Sequence, residues 1–202
     1  MSEAARTSTR AIARAAVRAK LSQVAFELFL REGYDNVTVD DLAAAAGVSR
    51  STFLRYFGSK EEAVLNAFDT HGQDVADALR ARPTQEDDWT ALRKALDTVV
   101  GHYRKDPSSA LRMTRLVLDT PALCARQLEK QHGWRPALAQ ALAERADPPV
   151  PVTVALSVKA AAALDCLNIA LDHWTASDGR LDLEDLLDEA FAALGPGSAA
   201  DA

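Results

Sequence analysis

The sequence is poor in the residues that build disulfide frameworks, metal centres and membrane spans. It has only two cysteines, Cys124 and Cys166, with no CxxC spacing and no nearby histidine, so reduced thiols are expected and neither a zinc site nor a disulfide is predicted. The longest apolar segment, 150–171, is interrupted by Lys159 and Asp165. The N-terminal segment lacks the uninterrupted apolar core of a signal peptide. We therefore expect a cytoplasmic protein with no membrane association.

The sequence also lacks the motifs that indicate catalysis. It contains no P-loop, no nucleophile elbow and no HExxH motif, each of which places reactive groups at a fixed spacing. The four histidines share no i,i+4 pairing that would hold a metal ion: His71, His102, His132 and His173. We expect no enzymatic activity, no cofactor and no metal.

The charge is divided unequally along the chain. The net charge is −6, which by itself argues against a nucleic-acid partner because phosphates require a positive face. Residues 1–60, however, carry nine basic and six acidic residues, a net charge of +3, which leaves −9 for residues 61–202. This asymmetry favours nucleic-acid binding by the N-terminal part only.

The apolar pattern predicts an all-α protein, because apolar residues recur at helical spacing and no segment alternates as a strand would. Helices are predicted at about 10–32, 38–46, 50–57 and from 59 to about 81, followed by one helix that includes 92–103 and by further segments separated at Pro107, Pro121 and Pro148. The predicted domains are a basic arm at 1–13, a three-helix DNA-binding domain at 14–60, a larger helical bundle at 61–195 and a disordered tail at 196–202.

Residues 38–64, TVDDLAAAAGVSRSTFLRYFGSKEEAV, have the pattern of a helix-turn-helix. Thr38 and Ser49 are N-caps for two short helices, and Gly47 lies in the turn between them. Gly58 ends the second helix, which carries polar and cationic residues. The alternative is a helical hairpin that only packs, with its polar residues facing water.

This segment resembles the TetR family of transcriptional regulators, through AxxAGVS in the turn, the Tyr56–Phe57 pair and the Ser-Lys-Glu opening of the next helix. The resemblance implies that 50–57 is a recognition helix in the major groove of double-stranded operator DNA. It places base contacts at the N-terminal end of this helix and phosphate contacts around it. The implied DNA-binding residues are Thr38, Ser49, Arg50, Ser51, Thr52, Arg55, Tyr56 and Lys60.

Two features of the N-terminal part leave alternatives open. Leu54 stands where the family often has tyrosine, so that phosphate contact is replaced either by packing or by contact with a thymine methyl group. Arginines 6, 10, 14 and 18 are spaced four apart and would form one basic stripe on a helix. The stripe is either a DNA-contacting extension or a solvated chain terminus.

The C-terminal part resembles, through 120–145, the TetR-type regulators that have an acyl-CoA-like ligand-binding domain. This resemblance implies an apolar or amphipathic effector held in a helical bundle. The candidate ligand residues are Phe68, His71, Tyr103, Met113, Arg115 and Trp134. Each of them is also compatible with an ordinary core or surface position.

A homodimer is expected, because one helix-turn-helix binds a half-site weakly and palindromic operators match two-fold symmetry. The predicted interface lies on the last two helices, at Leu164, Leu167, Leu171, Trp174, Leu183 and Leu187. The predicted function is that of a repressor released by an effector, with the fourth helix as the lever. An activator shares every N-terminal feature, and a helical ligand carrier or enzyme with no DNA role is the alternative from another class.

Overall fold

The computed structural model describes the backbone of residues 3–194 and the side chains of residues 12–66 and 68–194. Every regular element in this part of the chain is helical, which confirms the all-α prediction. The chain divides into two compact units, an N-terminal unit of residues 1–69 and a C-terminal unit of residues 70–202. The predicted tail at 196–202 and the side chains of Arg6 and Arg10 lie outside the described residues.

The N-terminal unit contains the helices α1 (Glu3–Glu32), α2 (Val39–Ala45), α3 (Arg50–Phe57) and α4 (Lys60–Leu65), followed by a 3₁₀ turn at Asn66–Phe68. Helix α1 packs against α2 and α4, and α3 packs against α2. Phe29, Leu42 and Phe53 are fully buried where these helices meet. Because α1 begins at Glu3, the backbone predicted as a separate arm continues the first helix.

The fourth helix is much shorter than the sequence predicts. It ends at Leu65 and gives way to the 3₁₀ turn, and a separate helix begins at His71. The intervening sequence Asn-Ala-Phe-Asp-Thr contains three residues of low helix propensity, which explains the break. The predicted lever is therefore not one continuous helix. The compact units separate after Asp69 and not after Lys60, because α4 and the 3₁₀ turn pack on α1.

The C-terminal unit contains α5 (His71–Arg80), α6 (Asp88–Ala95), α7 (Asp97–Lys105), α8 (Pro107–Asp119), α9 (Pro121–Arg145), α10 (Val154–Ala176) and α11 (Leu183–Leu194). Helix α9 lies at its centre and packs against α5, α8 and α10, and α11 packs on α10. The prolines fall where predicted, since Pro107 and Pro121 each occupy the first turn of a helix. The segment 92–103, predicted as part of one helix, is divided between α6 and α7 at Leu96.

Two buried arginines fasten the α6 region to the rest of the C-terminal unit. Arg93 pairs with Asp97, Glu184 and Asp188, of which the last two belong to α11. Arg145 binds Asp88 at 3.3 Å and donates to the carbonyl oxygens of Pro83 and Glu86. Because a buried charge is tolerated only when it is paired, these contacts fix where α6 and α11 lie.

Helix α10 is long and apolar enough to cross a membrane by length and composition, and the mean hydropathy of its most apolar stretch of 18 residues is 1.6. In the structure, however, 44% of this stretch is buried inside the C-terminal unit. A core helix of a globular bundle meets the same criteria. Its remaining exposed apolar residues include Val154, Val158 and Ile169, which are 82%, 60% and 52% exposed.

Candidate nucleic-acid interface and ligand site

The helix-turn-helix is held in shape by its own short polar side chains. Thr38 Oγ1 accepts a hydrogen bond from the Asp41 amide at 3.2 Å, and the Asp41 carboxylate accepts one from the Thr38 amide at 2.9 Å. This reciprocal capping box begins α2. The hydrogen bonds from Thr38 also hold the pKa of Asp41 below its usual value. Thr38, predicted as a phosphate contact, thus already orients the helix that precedes the turn.

The turn itself depends on glycine. Gly47 has φ = +67°, a left-handed conformation that other residues adopt at a cost. The amide of Val48 then returns to the Ala43 carbonyl at 2.9 Å, which closes the turn against the end of α2. Ala43 is the buried alanine at this contact, whereas Ala44 and Ala45 are exposed. Gly47 therefore fixes the geometry of the turn between α2 and α3.

The N-terminal end of α3 presents a cluster of exposed hydrogen-bonding groups. Ser49 caps the helix by accepting from the Thr52 amide at 3.2 Å, and its hydroxyl lies 3.1 Å from Ser51 Oγ and 3.0 Å from Thr52 Oγ1. Ser49, Arg50 and Ser51 are exposed, and Thr52 is half-buried. Hydroxyl groups and a guanidinium at a helix N-terminus suit both base edges and phosphates.

Arg50 is held in a surface ion pair with Asp40. The distance is 2.8 Å, and the two side chains are 59% and 65% exposed. An exposed pair contributes at most about 1 kcal/mol, whereas a bidentate arginine–guanine contact contributes about 1–3 kcal/mol of discrimination. The guanidinium can therefore leave Asp40 for a base. The sequence does not predict this ion pair, because Asp40 and Arg50 are ten residues apart.

Lys60 is placed differently from the predicted phosphate contact. Its ammonium donates to the carbonyl oxygens of Tyr34 at 3.1 Å and Val37 at 3.3 Å, and it lies 4.0 Å from the Tyr34 ring centroid. The Tyr34 hydroxyl in turn donates to Glu61. Lys60 thus ties the start of α4 to the loop before α2, and two of its three N–H donors are already occupied.

Tyr56 and Arg55 lie at the other end of α3. Arg55 is exposed, and the half-buried Tyr56 ring lies beside Phe57 and beneath the guanidinium of Arg14 from α1. Leu54 is half-buried. The eight predicted DNA-binding residues thus all lie on or next to α2, α3 and the start of α4. Arg14, one of the arginines of the predicted basic stripe, lies beside Tyr56.

The five predicted ligand residues of the C-terminal unit do not gather into one site. Phe68 is buried in the N-terminal unit, and the other five belong to the C-terminal unit. Arg115 pairs with Asp178, so its charge is neutralised within the chain. Tyr103 packs edge-on against Trp174, with ring centroids 5.6 Å apart, and burial raises the pKa of its phenol to about 12. Met113 is half-buried on α8.

His71 and Trp134 do come together, at the contact between α5 and α9. Their ring centroids are 6.2 Å apart, and His102 of α7 stacks on His71 at 4.7 Å. Burial, reinforced by the charge of His102, lowers the pKa of His71 to about 4, so the imidazole is neutral at neutral pH. No sequence pattern indicates the His71–His102 stack, because 31 residues separate its members.

Helix α9 carries buried polar groups on the same side as Trp134. Gln131, one turn earlier, is 5% exposed, and its side-chain oxygen has no hydrogen-bond partner among the described residues. The side-chain oxygen of Gln127, one turn further towards the N-terminus of α9, also has no hydrogen-bond partner among the described residues. A buried polar atom without a partner costs about 1–3 kcal/mol. This pair of amides is therefore a candidate for contact with a bound molecule.

The six predicted interface residues are buried within a single chain. Their exposed fractions range from 0% to 8%, so a second subunit cannot contact them, and that prediction is corrected: Leu164, Leu167, Leu171, Trp174, Leu183 and Leu187. The opposite faces of α10 and α11 are the exposed ones. A cleft between them is lined by Ile169, His173, Leu186 and Leu194, among others.

A capped helix-turn-helix with exposed cationic residues on α3, joined to a helical bundle of negative net charge, defines a DNA-binding protein with a separate all-helical second unit. Comparison with known families agrees. Residues 21–67 match the family described as bacterial regulatory proteins, tetR family, and residues 86–199 match the MftR C-terminal domain. The chain belongs to the TetR family of transcriptional regulators.

Relatives and solved structures support this assignment. The chain is 34% identical over 187 residues to MftR of Mycobacterium tuberculosis, named as a regulator of mycofactocin biosynthesis, with 88% of each chain covered. It is 35% identical over 134 residues to the HTH-type transcriptional regulator TcmR of Streptomyces glaucescens, covering 63% of this chain and 59% of TcmR. These relatives are regulators and not enzymes.

The fold is shared with FadR of Bacillus subtilis, solved in complex with stearoyl-CoA. The TM-score is 0.61 at 19% identity, with 89% of this chain and 98% of that chain covered. FadR of Thermus thermophilus, solved with lauroyl-CoA, has a TM-score of 0.55 at 21% identity, with 92% and 96% covered. At these identities the likeness concerns the fold alone.

Proposed function

We propose that this regulator is a cytoplasmic repressor that binds a palindromic operator as a homodimer and is released by an amphipathic, acyl-CoA-like effector. In this proposal the N-terminal unit is the DNA-binding domain, and the C-terminal unit binds the effector and the second subunit. Two copies of α3 would occupy successive major grooves about 34–36 Å apart. The observation that carries the proposal is the exposed Ser49–Arg50–Ser51 cluster at the N-terminus of α3.

The DNA-binding part is tested by fluorescence anisotropy with labelled fragments tiled across the DNA upstream of the protein's own gene. The Arg50→Ala variant should weaken selective binding by roughly 5- to 150-fold for each bidentate base contact that is lost, and a homodimer loses two. Arg31→Ala is the matched control, because Arg31 lies at the far end of α1 and pairs with Glu32. Equal weakening in both variants, or equal binding to random DNA, would contradict the proposed role of α3.

The proposed effector site lies on α9 and the helices that face it. Trp134 and the neutral His71 supply apolar and aromatic surface, and Gln131 supplies a buried amide with an unused acceptor. The acyl chain would contact the aromatic groups, and the amides would bind polar groups of the effector. The co-crystallised acyl-CoAs of the two FadR proteins support this class of ligand through a shared fold only.

The effector part is tested by titrating stearoyl-CoA and lauroyl-CoA into the protein–operator complex. Both should release DNA, and free coenzyme A should not, because the apolar tail provides most of the buried area. A Trp134→Ala variant that still binds DNA should respond only at much higher concentration. Release by free coenzyme A, or no release by either thioester, would refute the proposed effector class.

The proposed dimer uses the exposed apolar stripe along α10 and the adjoining part of α11. Val154, Val158 and Ile169 are spaced four and eleven residues apart and so lie on one face of the helix, on which Asp165 is the exposed charged residue between Val158 and Ile169. Leu194 of α11 is 60% exposed and lines clefts with Val158 and with Ile169. An exposed apolar patch of this kind marks an interaction surface, and two-fold pairing of like helices would bury it.

A further inference from the structure

Helix α1 and the C-terminal half of α3 enclose a cleft on the N-terminal unit. Its volume is about 300 Å³, and it is lined by Ala13, Arg14, Val17, Arg55 and Tyr56. Both arginines are exposed. The guanidinium carbon of Arg14 lies 5.8 Å from the Tyr56 ring centroid. The stacked ring limits the positions available to the Arg14 side chain and keeps its charge at the cleft.

In the part of the N-terminal unit whose side chains the structure describes, the two arginines differ from their neighbours in having no carboxylate partner. Among the side chains described in residues 12–66 and 68–69, Arg18 pairs with Asp69 at 2.8 Å, Arg31 pairs with Glu32 and Arg50 pairs with Asp40. No carboxylate of the same described part neutralises Arg14 or Arg55. Two uncompensated guanidinium groups on one open cleft favour an anion, and the planar N–H donors of arginine fit the oxygens of a phosphate.

The position of the cleft along α3 identifies which anion. Helix α3 has eight residues, so it is about 12 Å long, close to the roughly 12 Å width of the major groove. With Ser49 and Arg50 at the base edges, the end of α3 that carries Arg55 and Tyr56 reaches the rim of the groove. The sugar-phosphate backbone runs along that rim.

We propose that Arg14, together with Arg55, binds a backbone phosphodiester of the operator, so that α1 contributes a phosphate contact outside the helix-turn-helix. This inference rests on the proposed placement of α3 in the major groove. In this proposal Tyr56 has two functions: its ring supports Arg14, and its hydroxyl stays available to an adjacent phosphate. The contact is independent of sequence, since it involves no base edge.

The test is the salt dependence of binding to two duplexes, an upstream fragment and a random-sequence duplex of equal length. Removing the contact to one phosphate lowers the slope of log K against log salt by about 0.9 in magnitude, hence by about 1.8 for a dimer. Arg14→Gln should lower the slope on both duplexes by at most this amount, because Arg55 still binds the same phosphate, and Arg14→Lys should retain most of the slope. Arg31→Gln makes the same change in charge on the same helix, about 25 Å away, and should leave the slope unchanged.

Each outcome bears on a different statement. Equal slopes for Arg14→Gln and wild type, or equal reductions for Arg14→Gln and Arg31→Gln, would overturn the assignment of Arg14. Absence of preference for any upstream fragment would count against the proposed operator, while the slope on random DNA still tests Arg14. Failure of the wild type to bind either duplex at low salt would overturn both the proposed DNA binding and the assignment of Arg14. Unfolding midpoints of the three variants, expected to match the wild type, exclude a folding defect.

Discussion

Replacement of Gly72 by alanine should destabilise the C-terminal unit, although Gly→Ala in a helix ordinarily stabilises. A Cβ atom at this position would lie 2.8 Å from Nε1 of Trp134 and closer still to Cδ1 and Cγ. The glycine therefore allows α5 to approach the indole of α9 directly. Overpacking of this kind costs about 1–3 kcal/mol, which exceeds the roughly 0.4–1 kcal/mol gained by restricting the unfolded chain.

The matched control is Gly133→Ala, next to Trp134 on α9. A Cβ at Gly133 meets nothing within 4 Å. Alanine at this position restricts the unfolded chain without overpacking the folded state, so this variant should be more stable than the wild type. All three tryptophans, Trp89, Trp134 and Trp174, lie in the C-terminal unit, and tryptophan fluorescence during urea unfolding therefore reports on that unit. The two variants should differ by about 1–3 kcal/mol, the cost of overpacking, because the gain from restricting the unfolded chain is common to both and cancels.

Two results would refute this reasoning. If Gly72→Ala unfolds at the same urea concentration as Gly133→Ala, the indole does not occupy the space above Gly72. If combining Gly72→Ala with Trp134→Leu adds a full second destabilisation instead of relieving the first, the effect arises elsewhere, because residues in contact should give non-additive effects.

Four further results are expected. Because burial lowers the pKa of His71 to about 4, the folded state binds fewer protons than the unfolded state between pH 6.5 and 4. The free energy of unfolding should therefore fall by on the order of 3 kcal/mol as the pH decreases from 6.5 to 4. In urea titrations, the free energy of unfolding of His71→Phe should depend less on pH than that of the exposed-site control His132→Phe. Arg93→Met should lower the free energy of unfolding by about 1.5–3 kcal/mol, because it removes charge-assisted hydrogen bonds to Asp97 and Asp188. An unchanged midpoint of urea unfolding would contradict the described pairing. Gln131→Leu should raise the melting temperature of the ligand-free protein and weaken stearoyl-CoA release, whereas a lower melting temperature would show that the amide is needed for stability. Ile169→Glu should convert the dimer to a monomer in light-scattering measurements, while Leu128→Glu, at an equally exposed position on α9, should not; a dimeric Ile169→Glu protein would place the interface elsewhere.

The helix-turn-helix could be predicted from sequence because its signals act over a few residues. The bond from the Asp41 amide to Thr38 spans three residues, and Gly47 and Gly58 have positive φ where the turn and the helix end require it. The break after Leu65 is also local, but it is encoded only by weak propensities, which a continuing apolar pattern conceals. The same limit explains why α6 and α7 were predicted as one helix.

The ligand site could not be predicted in this way because its contacts join distant parts of the chain. His71 meets His102 and Trp134 across 31 and 63 residues, and no spacing rule connects them. Arg115 illustrates the opposite error, since a cation that suits a phosphate is neutralised by Asp178. Only the fold shows whether a charged group is already paired.

The interface prediction failed for a reason that itself supports a dimer. Helix α10 has apolar residues on two sides, with Leu164 and Leu167 at 1% exposure in the core and Val158 and Ile169 at 60% and 52% on the opposite surface, where Asp165 is also exposed. An amphipathic helix shows which side faces the core, but a helix with apolar residues on both sides does not. The rest of the C-terminal unit covers one side of α10, and the exposed side is the surface that we propose pairs with the same surface of a second copy.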